Sequence, residues 1–183
     1  LTILDSTISN NSGSSGAGIY NRESGTVNVI DSTISDNSAG WNAGGGVLNL
    51  GTFTVTGSTI SGNSSARQAG GIMNTGTLTI LDSTVSGNEA ERYGGGVFNS
   101  GTLTVTDSTI SENWTSDDNG FGGGIYSSGT MNLADSTIRG NWTSGRDSHG
   151  GGIYNSGTMN VANSTISENS TFVDGAAGGG IYT

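Results

Sequence analysis

The sequence predicts an all-β solenoid, a parallel β-helix of about seven coils, on three observations. A unit of 25, 26 or 28 residues repeats from a truncated copy at Leu1 through copies opening at Gly25, Gly51, Gly76, Gly101, Gly129 and Gly157. Each copy carries short runs that alternate polar and apolar residues, and none shows a helical period. Turn-forming residues separate those runs at the same places in every copy. A fixed period of this length is the mark of a stacked repeat architecture, so the chain reads as one elongated domain over residues 1–183. Gly is 34 of the 183 residues and Pro is absent. Without the period that composition would suggest low complexity, but the regular aliphatic columns argue for a packed core.

The copy at Gly101 shows the elements in order. Thr102-Leu103-Thr104-Val105 alternates, which predicts a half-buried strand. Asp107-Ser108 then marks a turn, and Ser108-Thr109-Ile110-Ser111 alternates again. Gly124-Ile125-Tyr126-Ser127 makes a third short strand, so three strands per coil are expected. Thr, Val and Ile favour the pleated state. The residue after the third strand is Asn21, Asn49, Asn74, Asn99 and Asn155, with Ser127 in one copy. Such side chains bond their own backbone in turns. The Asn that follows Thr-Ile-Ser (Asn37, Asn63, Asn88, Asn113, Asn141) reads as a turn former too, and its Asn-x-Ser/Thr contexts arise by composition.

Four apolar columns should point inward. They run through Leu103, Val105, Ile110 and Ile125 and their counterparts in the other copies. Coils stacked ~4.8 Å apart give a rod roughly 30 Å long. A single coil buries too few side chains to offset the entropy of ordering its backbone, so stability must be cooperative along the axis. Length varies mainly at one corner: Ser38–Ala43, Ser64–Gln68, Glu89–Tyr93, Trp114–Phe121 and Trp142–His149. Insertions confined to one corner mark the variable edge of a solenoid, where binding residues gather.

The runs Gly150-Gly-Gly-Ile-Tyr-Asn-Ser-Gly-Thr-Met159 and Gly101-Thr-Leu-Thr-Val-Thr-Asp-Ser-Thr-Ile-Ser111 resemble the right-handed parallel β-helix repeats of bacterial surface proteins. These are the polymorphic-outer-membrane-protein-like and autotransporter-passenger-like repeats. The resemblance covers the whole chain and implies a right-handed coil and an extracellular or cell-surface setting. It implies roles in adhesion, display or filament formation, and it carries no catalytic motif.

Composition excludes several classes. The chain has no Lys, five Arg and a net charge of −10, the opposite of the cationic footprint that nucleic acid requires. No apolar run is long enough to span a bilayer as a helix. With no Cys there are no disulfides or thiolate metal sites.

Candidate sites follow from the columns. Tyr20, Leu48, Met73, Phe98, Tyr126, Tyr154 and Tyr182 alternate with the inward Ile column, which points them outward as an exposed stripe. The variable corner adds Trp41, Tyr93, Trp114, Phe121, Trp142 and His149, residue types enriched at binding hot spots and suited to glycans. Trp114 and Trp142 can stack on each other across adjacent coils. An Asp column includes Asp82, Asp107 and Asp135. Like charges ~5 Å apart repel by roughly 0.8 kcal/mol in water. Calcium between coils would relieve that, although Asp as a solvated turn former explains the column without a metal. No other cofactor is implied. Thr-x-Thr ranks such as Thr77/Thr79 resemble the grid of ice-binding solenoids, interrupted at Asn28, Asn132 and Asn160. His149 is the single His, and no base-plus-orienter set accompanies the many Ser, so the chain is not expected to be an enzyme. Asp117 and Asp147 are the loop carboxylates that a polysaccharide-degrading activity would use.

The expected role is therefore structural or adhesive, with carbohydrate or ice binding as the alternative. The chain opens and closes inside repeats. It is expected to belong to a longer solenoid, or to associate with itself through its ends or lateral faces into a filament.

Overall fold

The computed structural model describes residues 1–40, 44–172 and 175–183; Trp41 lies outside them. Every regular element among them is a strand, and the strands form four seven-stranded parallel sheets. The fourth coil is representative. Its strands are Thr77–Leu81, Thr84–Ser86, Glu89–Ala90 and Val97–Asn99, one in each sheet in turn. Each residue pairs with its counterpart one coil on: Leu78 with Leu103, Val85 with Ile110, Ala90 with Thr115, Val97 with Ile125.

The coil thus has four strands where the sequence reading gave three. The additional strand is two residues long in every coil and opens the variable corner. Two residues cannot display an alternation, so periodicity alone does not reveal it.

The four apolar columns do point inward. Val55, Ile80 and Val105, Ile60, Val85 and Ile110, and Ile72, Val97 and Ile125 have no solvent exposure, and neither do Phe53, Leu78 and Leu103. The third sheet contributes small inward residues, Ala39, Ser65 and Ala90.

Three corners of each coil turn through the left-handed region. The first uses the Asp column, with φ of 47° at Asp82, 48° at Asp107 and 51° at Asp135. Asp and Asn enter this region more readily than other side chains because they bond locally. Gly57 fills the same place where Asp is missing. The second corner lies just before the Asn column, at Asp36, Gly62, Gly87 and Glu112. The third precedes the fourth sheet, at Gly94, Gly122 and Gly150, with Ala69 in the third coil. The Gly that opens each repeat is needed for another reason: a Cβ on Gly76 would collide with the carbonyl oxygen of Gly51 in the preceding coil.

Polar groups are stacked as strictly as the apolar ones. Asn63, Asn88 and Asn113 are fully buried, and they form a ladder rather than a set of turn formers. Asn63 Nδ2 donates to Asn88 Oδ1 at 2.9 Å and to the Ile34 carbonyl at 3.0 Å, and the Asn63 backbone N–H donates to Asn88 Oδ1 at 3.0 Å. The same bonds join Asn88 to Asn113 and Asn113 to Asn141. Burial and these bonds take the Asn63, Asn113 and Asn141 sequons out of reach of a glycosylating enzyme in the folded chain.

A second ladder runs through Asn21, Asn49, Asn74, Asn99 and Ser127, with side-chain bonds of 2.7 to 3.1 Å. Its members also bond their own turn, as expected: Gly51 N–H donates to Asn49 Oδ1. In a third ladder, Ser58 N–H donates to Ser83 Oγ, whose hydroxyl donates to the Leu81 carbonyl.

Each buried polar group left without a partner costs about 1–3 kcal/mol. Asn88→Ala orphans groups on both neighbouring coils and should destabilise the chain by roughly 3 kcal/mol or more on that scale. Thr79→Ser on the outer face should shift stability by less than about 0.5 kcal/mol. Urea denaturation followed by circular dichroism measures both.

Candidate functional site

In the fourth sheet the middle residue of each strand points outward while its neighbours point in. Ile125 and Ser127 are buried and Tyr126 between them is half-buried. Because the strands pair in register, the outward residues stack. Phe98 lies on Tyr126 with ring centroids 5.0 Å apart and planes 7° apart, Tyr126 on Tyr154 at 5.2 Å and 3°, and Tyr154 on Tyr182 at 5.3 Å and 13°. The aromatic column is therefore outside, as the alternation predicts, but it is not the exposed stripe expected: its stacked members are half-buried and Leu48 is buried. Towards the first coil it gives way to Met73, Leu48 and the exposed Tyr20.

The far side of the variable corner supplies a second column. Tyr93, Phe121 and His149 each form a parallel bridge to the same position one coil on. Their rings stack at 5.8 Å and 5.6 Å. The two columns touch: Tyr93 meets Tyr126 at 5.3 Å, Phe121 meets Tyr154 at 4.8 Å, and His149 lies flat on Tyr182 at 4.4 Å and 6°.

Seven residues singled out from sequence, Tyr93, Phe98, Phe121, Tyr126, His149, Tyr154 and Tyr182, thus join one array. Stacking covers the ring faces that a sugar would lie on. The edges and the tyrosine hydroxyls are what this surface presents to solvent.

Trp114 and Trp142 stand apart from the array. They face outward from the third sheet, where Trp114 pairs with Trp142 and Trp142 with Ser170. Their indoles stack at 5.1 Å and 2°, as the sequence suggested.

The variable corner is more regular than its length suggests. Both of its edges are ladder positions, so free variation is confined to short tips such as 116–120 and 144–148. Even these tips bond between coils: Asn119 N–H donates to the Arg146 carbonyl at 2.8 Å.

His149 is not a free, solvated imidazole. It lies between Phe121 and Tyr182, and its Nδ1 accepts the Ala177 N–H at 3.0 Å. Asp117 pairs with Arg92 at 3.4 Å, with both side chains about half exposed, an arrangement worth little to stability. Asp147 adopts φ of 51° at a loop turn. Asp82, Asp107 and Asp135 occupy the first corner, where their backbone conformation accounts for them. Among the described residues no group of three or more His, Cys, Asp or Glu side chains converges as a metal site would. Two open depressions of about 360 Å³ and 440 Å³ lie at Tyr20–Leu50 and at Arg67–Asp117, and no ring of the array lines either.

A family model described as right handed beta helix region matches residues 1–142. The chain belongs to that family. Comparison with curated proteins and with solved structures gives no significant match. In this right-handed beta helix the polar ladders are buried, and the aromatic array is the most differentiated feature of the described surface.

The array also perturbs its own chemistry. Burial raises the Tyr154 phenol above its ordinary value, and the neighbouring phenols of Tyr126, Tyr182 and Tyr93 push it the same way. A raised folded-state value means that the folded chain holds this proton longer than the unfolded chain. Its contribution to stability is intact below the ordinary tyrosine value of about 10 and is lost as pH rises through the folded value. The urea midpoint should therefore fall above a pH of about 10, and Tyr154→Phe should flatten that fall. Denaturation curves at stepped alkaline pH measure it.

Proposed function

We propose that this right-handed beta helix is a structural and adhesive rod of a bacterial cell surface, without turnover of its own, and that the aromatic array is its contact strip. The array carries this reading. Its rings are half exposed and already held by their neighbours, so little side-chain freedom remains to be lost on binding. Tyr edges with hydroxyls combine apolar area with hydrogen bonding, which suits a protein surface. The net charge of −10 favours a partner surface of opposite sign, reached faster at low salt. The covered ring faces argue for a protein over a glycan.

A second reading has its own observation. The outer face of the first sheet carries no charged residue in any coil, although the chain is strongly acidic. Its first rank is Thr26, Thr52, Thr77, Thr102, Thr130 and Thr158, paired coil to coil. The face measures roughly 30 by 17 Å, about 500 Å², below the ~800 Å² per partner of a stable protein interface. A flat, neutral, periodic hydroxyl and methyl surface suits an ordered water lattice such as ice.

The adhesive reading is tested with beads coated with the purified chain, passed under flow over layers of bacterial or host cells and over each other. Retention is expected well above that of albumin-coated beads, weakened by salt, and severalfold lower for Tyr126→Ser/Tyr154→Ser. Retention no better than albumin overturns it, and product release from a polysaccharide panel overturns the non-enzymatic part. For the second reading, ice-crystal growth is watched in a nanolitre osmometer. Faceting and thermal hysteresis that vanish with Thr77→Lys support it, and growth identical to that in buffer removes it.

A further inference from the structure

Three tyrosines stand in consecutive coils with their rings in parallel contact. Tyr126, Tyr154 and Tyr182 pair in strict strand register, with centroid spacings of 5.2 and 5.3 Å and interplanar angles of 3° and 13°. Side chains in register on one sheet leave their backbones in the same direction, so the three hydroxyls point the same way. The ortho carbons that flank them then lie one above another. Tyr93 touches the same stack, tilted by 50° against Tyr126 at 5.3 Å. All four are half-buried, so part of each side chain remains open to solvent. The chain has no Cys, so no disulfide can tie one coil to the next.

We propose that this stack is a site of oxidative modification, at which neighbouring tyrosines couple into dityrosine and staple adjacent coils covalently. The co-reactant is hydrogen peroxide used by a haem peroxidase. The peroxidase removes one electron and one proton from each of two phenols, and hydrogen peroxide takes up both electrons and both protons to leave two waters. The two phenoxyl radicals join through a new carbon–carbon bond between one ortho carbon of each ring. Each ring then moves the hydrogen from its bonded ortho carbon to its oxygen, which restores both phenols. The net change is the loss of two hydrogens per link. Stacking favours the step because a radical formed on one ring lies against the only other ring it must meet, with no diffusion required. Tyr154 is the centre of the ladder, since it alone has a tyrosine stacked on both faces. Tyr20 is the internal contrast: it faces solvent alone, with Leu48 as its neighbour in the next coil.

The test treats the purified full chain, at a concentration dilute enough to suppress coupling between molecules, with horseradish peroxidase and hydrogen peroxide. Dityrosine fluorescence, intact mass and peptide maps are read. The expected result is a monomer that has lost pairs of hydrogens, gains fluorescence, and yields linked peptides joining Tyr126 to Tyr154 or Tyr154 to Tyr182. Its thermal midpoint should rise. Tyr154→Phe keeps the ring stack and should lower the yield severalfold, leaving only the Tyr93–Tyr126 contact. Tyr20→Phe should leave it unchanged. The proposal is overturned if the links join separate molecules, if Tyr154→Phe couples as well as the parent chain, or if urea-unfolded chain gives the same links in the same yield.

Discussion

Every coil of this molecule is unfinished by itself. Its backbone donors and acceptors and its buried ladder amides are completed by the coil above or below, one strand spacing away, while Thr115 Oγ1, Thr143 Oγ1 and Asn155 Oδ1 are buried without a partner. That axial dependence governs which residues the sequence can use. Asn88 must accept from Asn63 and donate to Asn113, so a residue that only donates or only accepts would break the ladder. Gly76 has no room for a Cβ because the Gly51 carbonyl occupies the place. The apolar columns obey the same rule in a softer form, since Phe53, Leu78, Leu103 and Met131 fill one column with different shapes.

The period and the alternation made the coil count, the inward columns and the outward aromatic column legible. They also marked where length varies. What stayed hidden has physical causes. The third sheet is built of two-residue strands, too short to show a pattern. The Asn columns carry the same residue type that turns use, and burial, which separates a ladder from a turn, is not written in composition. The loop around His149 is rich in Gly, Ser and Asp and shows nothing of its ring neighbours. The stacking of His149 on Phe121 and Tyr182 depends on contacts with the coils on either side. The aromatic array was half visible: the tyrosine column follows from alternation. Its union with Tyr93, Phe121 and His149 required knowing that the corner ends on a ladder position.

Chemistry is distributed around the coil in a way that suits a rod with distinct sides. The first sheet presents neutral Thr, and the second presents Thr and Ser with Arg139 as its one charge. Many carboxylates, such as Asp82, Asp107 and Glu112, sit at the corners in left-handed turns, while Glu89 lies on a strand of the third sheet. The aromatic array alone combines rigidity, apolar area and hydroxyls. The adhesive reading, the raised Tyr154 phenol and the proposed cross-linking all draw on this one strip.

The coils hold one another and do not fold separately. Native-state amide hydrogen exchange tests this most directly. The Asn63, Asn88 and Asn113 amides, all bonded to side chains of the next coil, should open with one common free energy equal to that of global unfolding. The loop tips at 116–120 and 144–148 should open more easily. Interior coils that exchange with separate, unrelated free energies would contradict the account.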